Sequence, residues 1–381
     1  MKFQVINNIT IKMIITFLYI DDDKLNESKE KVQGFENPSL KIITNQHETT
    51  WESQIRFIKE NEPILDGLLL DLRLDDFPNA EGGRADFRGT SLAQEIRTRQ
   101  KEGAFKSFPI ILFSGNDKLE QSLEQSGKDL FDICIDKGKI TTKSYDVFSP
   151  QLVSVATGYK FLIEETNNPT KILNVDIEKI DERFIAQLNE IGTNPIHVIA
   201  RFLIDELIEK RGLLIDEVTL AARLGIEVEK SPDWNKVLSS LTNAEYRGVF
   251  SLGWKRWWMP LVEEWWKMEI EADTYLRSTS ASKRVERIKE KLKIENIKPS
   301  ERIPKAESEE YWTVCKGYNK PLDPVDGLMI EGQENLYPWQ DAEYVSIDAA
   351  LMRKNNSIWK KVAKLEEDRL SELEQQFKRN R

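Results

Sequence analysis

The stretch FLYIDDD, at residues 17–23, consists of four apolar or aromatic residues followed directly by three acids. Three later runs have the same form, an apolar segment that ends in a polar residue: GLLLD at 67–71, IILFS at 110–114 and ICIDK at 133–137. Continuous apolar runs of this length are typical of parallel strands buried on both faces, and their alternation with helical patterns predicts an α/β domain. Ligands of open α/β sheets bind at the carboxyl ends of the strands, so we expect the terminal polar residues to share one crevice.

Five polar residues end these runs: Asp21, Asp22, Asp71, Ser114 and Lys137. Asp and Ser commonly cap helices after strands, so each residue alone would be uninformative. Together they match one chemistry. Carboxylate oxygens suit Mg²⁺, and Asp71 is a candidate nucleophile that would form an acyl phosphate. The hydroxyl of Ser114 and the ammonium of Lys137 would then hold the phosphoryl oxygens, since phosphoryl transfer depends mainly on positioning and charge neutralisation.

Over residues 12–148 the sequence resembles the receiver domain of two-component response regulators. The resemblance is carried by FLYIDDD, GLLLDLRL, RGTSLAQEIR, FPIILFSGND and ICIDKG. It implies a flavodoxin-like, doubly wound, five-stranded parallel sheet with helices on both faces. It also implies Asp71 as the phosphoacceptor, with a partner histidine kinase as the source of the phosphoryl group.

The resemblance assigns a role to each residue of the site. It implies Ser114 as the switch hydroxyl and Lys137 as the lysine that contacts the phosphate. It implies a Mg²⁺ site made of Asp21, Asp22, Asp71 and the backbone carbonyl of Arg73.

Several features depart from the usual receiver pattern. The loop DDFPNAEGGRADFR at 75–88 is longer than usual and is expected to lie beside the site as a lid or a docking surface. Gly138 replaces a common proline, and Cys134 stands where many receivers carry a switching aromatic residue, which puts the usual relay in doubt. Arg73 and Asn116 lie two residues beyond Asp71 and Ser114, so their side chains are expected to flank attacking water and to prolong the life of the phosphoryl group.

Composition limits the classes of function. The chain has 381 residues and a net charge of −10, which argues against non-specific binding to nucleic acid or to an anionic membrane. Two distant cysteines, Cys134 on a strand predicted to be buried and Cys315, predict no disulfide framework and indicate a cytoplasmic protein. The apolar run at 11–20 is too short to span a bilayer. No phosphate-binding loop, nucleophile elbow or kinase signature is present, so we expect a phosphoacceptor rather than an enzyme.

The remainder of the chain is predicted to be mainly helical. We expect a receiver domain at 1–150, a linker region at 151–180, and a Trp-rich C-terminal domain of unrecognised family at 181–381. The segment from Gly253 to Leu276 contains five tryptophans at helical spacing, which predicts an amphipathic helix at the core of that domain. The alternative is that the same tryptophans form an exposed surface for a protein partner.

Three functions fit these observations. The first is a signalling protein whose C-terminal domain binds a second response regulator, another protein or a second copy of the chain. Its architecture resembles the phosphate-sink component of the phage-defence two-component systems called Detocs. The alternative is a DNA-binding transcriptional response regulator, because EVTLAARLGIEV at 217–228 resembles the start of a helix-turn-helix. The third is an enzyme with an unrecognised effector.

Overall fold

The computed structural model describes residues 14–115, 127 and 129–379, which form two compact units interleaved along the chain. The N-terminal unit contains residues 14–172 together with Leu188–Ile204 and Gly248–Trp254. The C-terminal unit contains Leu173–Gln187, Asp205–Arg247 and residues 255–379.

The N-terminal unit is built on a five-stranded sheet in which every pair of neighbouring strands is parallel. The strands are β1 (Ile15–Asp21), β2 (Leu40–Gln46), β3 (Gly67–Leu70), β4 (Ile110–Ser114) and β5 (Ile133–Asp136). Their order is β2-β1-β3-β4-β5, so the predicted flavodoxin-like fold is confirmed. All residues of β3 and β4 are buried, as expected for strands covered on both faces.

Helices cover both faces of this sheet. They are α1 (Leu25–Gln33), α2 (Trp51–Asn61), α3 (Gly89–Lys101) and α4 (Thr142–Glu165). Val32 of α1 and Leu152 of α4 share one apolar cluster with the side chains on one face of the sheet. Ile58 of α2 and Leu92 of α3 belong to the cluster on the opposite face. The sheet is therefore the middle layer of three, which leaves the carboxyl edge of its strands available for a site.

Helix α4 has 24 residues, and a buried polar network anchors its second half. The hydroxyl of Tyr159 on α4 donates to Oδ1 of Asp132, while Oδ2 of the same carboxylate lies 2.7 Å from the guanidinium of Arg97 on α3. The backbone N–H of Ile110 also donates to that Oδ2, at 2.8 Å. Asp132 thus ties α3, β4 and α4 together at the edge of the sheet where β4 and β5 begin.

Three short helices follow in the chain: α5 (Pro169–Leu173), α6 (Glu182–Ile191) and α7 (Ile196–Leu203). Helix α4 occupies the first half of the segment that we predicted as a linker, 151–180. The predicted domain boundaries at 150 and 180 remain predictions.

The C-terminal unit is mainly helical, as predicted, with pairs of two- or three-residue strands. Its helices are α8 (Glu217–Leu224), α9 (Trp234–Ser240), α10 (Met259–Trp265), α11 (Ala281–Leu292), α12 (Ile347–Leu351), α13 (Asn356–Trp359) and α14 (Glu367–Arg379). Its strands are β6 (Leu214–Ile215), β7 (Trp257–Trp258), β8 (Thr313–Val314), β9 (Pro321–Leu322), β10 (Gly327–Met329) and β11 (Tyr344–Ser346). None of the helices within the described ranges has the length and apolar character needed to cross a membrane.

The tryptophan-rich segment is not the single helix that we predicted. Trp257 and Trp258 form β7, and α10 begins only at Met259. The reason is Pro260, which lacks an N–H and is tolerated in the first turn of a helix but not in its interior. The predicted burial of the tryptophans is confirmed, since Trp265 is 6% exposed and the others are 5% or less.

The polar network around Asp132 yields a prediction about stability. Replacing Asp132 by Ala should lower the free energy of unfolding by about 3 to 5 kcal/mol, because it leaves the buried guanidinium of Arg97 without its carboxylate. The control is Asp129→Ala. Its carboxylate pairs with Arg201 but is 60% exposed, so the loss should stay below about 1 kcal/mol. Urea denaturation of the full chain measures both values, and equal losses would contradict the assignment.

Candidate functional site

The structure brings the five predicted polar residues to one edge of the sheet. Asp21 ends β1, Asp71 directly follows β3, Ser114 ends β4 and Lys137 directly follows β5. Asp22, which follows β1, completes a group of three buried acids with Asp21 and Asp71. One carboxylate oxygen from each of them lies within 4.8 Å of the others. The parallel register explains this convergence, because every strand presents its carboxyl end at the same edge.

Lys137 is the cation at the centre of this group. Its Nζ lies 2.7 Å from Oδ1 of Asp71 and 3.0 Å from Oδ2 of Asp21. Only 15% of the Lys137 side chain is exposed, so both ion pairs are shielded from water. A third acid, Asp22, instead accepts a hydrogen bond of 2.9 Å from the backbone N–H of Phe77.

Burial and charge shift the protonation equilibria of the acids in different directions. Burial raises the pKa of Asp71, although the ammonium of Lys137 opposes the shift. Burial also raises the pKa of Asp22, to about 6. Burial acts in the same direction on Asp21, but Lys137 and the hydroxyl of Tyr19 outweigh it and hold the pKa of Asp21 below its usual value. Negative charge at this edge is therefore costly, and a further cation would be bound favourably.

Ser114 is fully buried at the end of β4, and its hydroxyl has no hydrogen-bond partner among the residues that the structure describes. Buried hydroxyls are nearly always paired, so this one is free to donate to a polar group at the carboxyl edge of the sheet. Of the two residues predicted to flank attacking water, Asn116 lies outside the described residues. The guanidinium of Arg73 lies 2.9 Å from Asp75 and 2.7 Å from Asp76, and its obstruction of water stays a prediction.

The backbone around Asp71 is held tightly on both sides. The N–H of Asp71 donates to the carbonyl of Ile20 at 3.1 Å, and the N–H of Arg73 donates to Oδ2 of Asp71 at 2.8 Å. Gly89, the first residue of α3, packs against the carbonyl of Asp71 so closely that an added Cβ would lie 2.0 Å from that oxygen. A glycine is therefore required where α3 begins beside the site.

The long loop at 75–88 is folded onto the site. The backbone of Phe77 makes two contacts: its N–H donates to Asp22, and its carbonyl lies 3.0 Å from Nε2 of His47. The N–H of Asp86 donates to the carbonyl of Thr49 at 3.2 Å. These contacts couple the loop to the segment after β2 and to one acid of the site. Sequence reasoning placed the loop beside the site but missed His47, because a single buried histidine has no distinctive spacing.

Cys134 differs from our prediction in its environment. It lies on β5 as expected, but its side chain is exposed rather than buried. Aromatic contacts lie instead on the opposite side of β4. The ring of Phe113 is 5.5 Å from that of Tyr19 and 5.7 Å from that of Phe35, and Phe35 is 4.9 Å from Tyr145 on α4. The aromatic residues near Ser114 therefore pack towards α4, on the side of the sheet away from Cys134.

The chain was compared with known proteins. No family profile matches it, and no curated protein matches it. Part of the chain is similar to solved structures. One is an adenylate cyclase from Rhodopirellula baltica, with 16% identity and a TM-score of 0.28 over 40% of this chain and 99% of that chain. Another is a response regulator receiver protein from Sinorhizobium medicae, with 16% identity and a TM-score of 0.25 over 38% of this chain and 97% of that chain.

A third similar structure is RcsB from Salmonella enterica serovar Typhimurium, solved bound to the promoter rprA. It has 16% identity and a TM-score of 0.23 over 50% of this chain and 98% of that chain. The fold assignment of the N-terminal unit rests on the observed order and parallel register of its strands.

The ion pairs of Lys137 give a testable prediction. Replacing Lys137 by Met should lower the free energy of unfolding by about 3 kcal/mol in metal-free buffer, because Asp71 stays buried without its cation and Asp21 keeps only Lys31, at 3.9 Å. Added Mg²⁺ should restore part of the loss, so the variant should gain more stability from Mg²⁺ than the unsubstituted protein gains. Lys139→Met is the control, since its side chain is 74% exposed. Thermal denaturation with and without Mg²⁺ measures both effects, and an equal Mg²⁺ gain in all three proteins would count against the predicted role of Lys137.

Proposed function

We propose that this chain is a response-regulator-like signalling protein that accepts a phosphoryl group on Asp71 from a partner histidine kinase. One observation carries the proposal: the acids, the unpaired hydroxyl of Ser114 and the ammonium of Lys137 converge at the carboxyl edge of a flavodoxin-like sheet. The arrangement offers a nucleophile together with neutral and cationic donors for the oxygens of a phosphoryl group.

The proposed transfer is a displacement at phosphorus. An oxygen of the Asp71 carboxylate attacks the phosphorus of a phosphohistidine. The phosphorus–nitrogen bond breaks, the imidazole of the kinase leaves, and an acyl phosphate remains on Asp71. Lys137 already lies 2.7 Å from Asp71 and is placed to follow the new negative charge, while the Ser114 hydroxyl donates to a phosphoryl oxygen.

The donors at this edge fit Mg²⁺. Three carboxylates within 4.8 Å of one another form an all-oxygen set, which is the kind that Mg²⁺ prefers. In the proposed site Asp21, Asp22, Asp71 and the carbonyl of Arg73 hold the ion. It would supply charge neutralisation next to the phosphoryl group, and the raised pKa values of Asp22 and Asp71 are in keeping with a site that favours a further cation.

We propose that the C-terminal unit is a protein-interaction module without a catalytic effector, in a cytoplasmic signalling protein. Its partner would be a second response regulator or a second copy of the chain. A role as a phosphate sink in an anti-phage system of the Detocs type is one form of this proposal, and neither the fold nor the comparisons support it specifically.

The alternative function, DNA binding near residues 213–260, lacks a supporting observation. Arg223 on α8 is buried and paired with Asp341, while Lys236 on α9 pairs with Asp233 at 2.8 Å. DNA binding depends on several basic side chains that can reach phosphates, and these two are already engaged within the unit.

The proposal predicts that Asp71 is the phosphorylated residue. With acetyl phosphate and Mg²⁺, the unsubstituted chain should gain one phosphoryl group, and Asp71→Asn should gain none, because an amide cannot form the acyl phosphate. Chelation of Mg²⁺ should also prevent the gain. Asp75→Asn, which alters an acid of the adjoining loop, is the control and should still be phosphorylated. Intact-mass spectrometry measures the result, and undiminished uptake by Asp71→Asn would refute the assignment.

The unpaired hydroxyl of Ser114 predicts opposite effects on stability and on phosphorylation. Ser114→Ala should raise the free energy of unfolding by about 1 kcal/mol, because it removes an unsatisfied buried polar group. The same variant should take up the phosphoryl group more slowly. Ser149→Ala is the control, since that buried hydroxyl donates to the carbonyl of Phe35 at 2.9 Å and its loss should destabilise the protein. Urea denaturation and intact-mass time courses measure the two effects, and unchanged uptake by Ser114→Ala would argue against its predicted role.

A further inference from the structure

Tyr19, on β1, touches the site although no sequence signal marked it as a site residue. Its side chain is fully buried, and its hydroxyl donates a hydrogen bond to Oδ2 of Asp21. An apolar side chain would fill the same core position between β1 and α4 without this bond.

Both oxygens of the Asp21 carboxylate have donors that fix its orientation. Oδ2 accepts from Tyr19 and from Lys137, and it lies 3.4 Å from the hydroxyl of Ser28 on α1. Oδ1 accepts from the backbone N–H of Asp22 at 3.0 Å. Among these donors the Tyr19 hydroxyl comes from a buried ring with few rotatable bonds, so it helps to fix the orientation of the carboxylate.

The ring of Tyr19 also borders the ammonium group of the site. Nζ of Lys137 lies 5.4 Å from the ring centroid of Tyr19 and 5.4 Å from that of Phe113, and these two rings meet edge to face. Cations are attracted to the faces of aromatic rings at this distance. The two rings therefore help to hold the ammonium where it reaches Asp21 and Asp71 together.

We propose that Tyr19 is a positioning residue for the divalent-cation site, through its hydroxyl on Asp21 and its ring beside Lys137. This inference rests on the proposed function, which assigns Asp21 to the metal. Hydrogen-bond partners of ligating carboxylates orient them for the metal, and their removal typically weakens metal affinity by about 10- to 100-fold. The competing explanation is that the Tyr19 hydroxyl only satisfies a buried carboxylate, in which case metal affinity would not depend on it.

The chain contains a matched control for this distinction. Tyr159 is also buried in the N-terminal unit, and its hydroxyl also donates to a buried carboxylate, that of Asp132. Asp132 lies near the start of β5, away from the edge that carries the three acids. Tyr19→Phe and Tyr159→Phe thus remove the same group from the same kind of environment, but only the first removes it from the site.

The experiment measures the dissociation constant of Mg²⁺ alone, by isothermal titration calorimetry of the full chain at pH 7.5 and constant ionic strength. Tyr19→Phe should weaken Mg²⁺ binding by about tenfold or more. Tyr159→Phe should bind Mg²⁺ as the unsubstituted chain does, although both variants lose stability. Circular dichroism before each titration establishes that the variants are folded. Ser28→Ala, which removes the more distant donor to the same oxygen, provides a second variant and should show a smaller weakening.

Phosphoryl uptake from acetyl phosphate adds a second measurement. In Tyr19→Phe the Mg²⁺ concentration for half-maximal rate should rise, and most of the lost rate should return at saturating Mg²⁺. Unchanged Mg²⁺ affinity in Tyr19→Phe, or an equal loss in Tyr159→Phe, would overturn the proposal for Tyr19 and leave Asp71 as the phosphoacceptor. If the unsubstituted chain bound no Mg²⁺ and took up no phosphoryl group, the proposed function would fall, and the inference about Tyr19 with it.

Discussion

The site depends on two ion pairs of the Lys137 ammonium, which lies 2.7 Å from Asp71 and 3.0 Å from Asp21. Without it, three buried carboxylates would face one another at an edge of the sheet from which water is largely excluded. Such a cluster is stable only if a cation shares it, since the desolvation of each acid is costly. Lys137 neutralises only part of the negative charge of the three acids, and the remaining negative charge would favour the binding of a divalent cation. The stability of the fold at this edge and its chemistry thus have one physical cause.

This electrostatic balance is supported by contacts with the interior of the N-terminal unit. The hydroxyl of Tyr19 orients Asp21, the N–H of Phe77 holds Asp22, and the N–H of Arg73 holds Asp71. Each acid therefore has its own donor, two of them from residues two positions away and one from the loop at 75–88. An arrangement of this kind orders the site before any ligand binds, which would lower the cost of positioning in the proposed phosphoryl transfer.

Much of the fold could be read along the chain because local and global preferences agree there. Four apolar runs that end in polar residues marked β1, β3, β4 and β5, and parallel packing alone then placed Asp21, Asp71, Ser114 and Lys137 together. The tryptophan-rich segment shows the opposite case. Helical spacing suggested one helix, but Pro260 and the pairing of Trp257–Trp258 with Leu214–Ile215 produced a strand followed by a helix. That strand pairing joins residues more than forty positions apart, which periodicity cannot reveal.

The resemblance to receiver domains implied the strand order, while the positions of the acids and the lysine at strand ends follow from the pattern of the amino-acid sequence itself. The partners of those residues do not. That the ring of Tyr19 borders the ammonium of Lys137, that the loop at 75–88 folds back onto Asp22, and that Cys134 faces outward all depend on how distant segments pack. Side-chain direction and long-range hydrogen bonds are set by the three-dimensional arrangement, since many partners are compatible with the same local sequence.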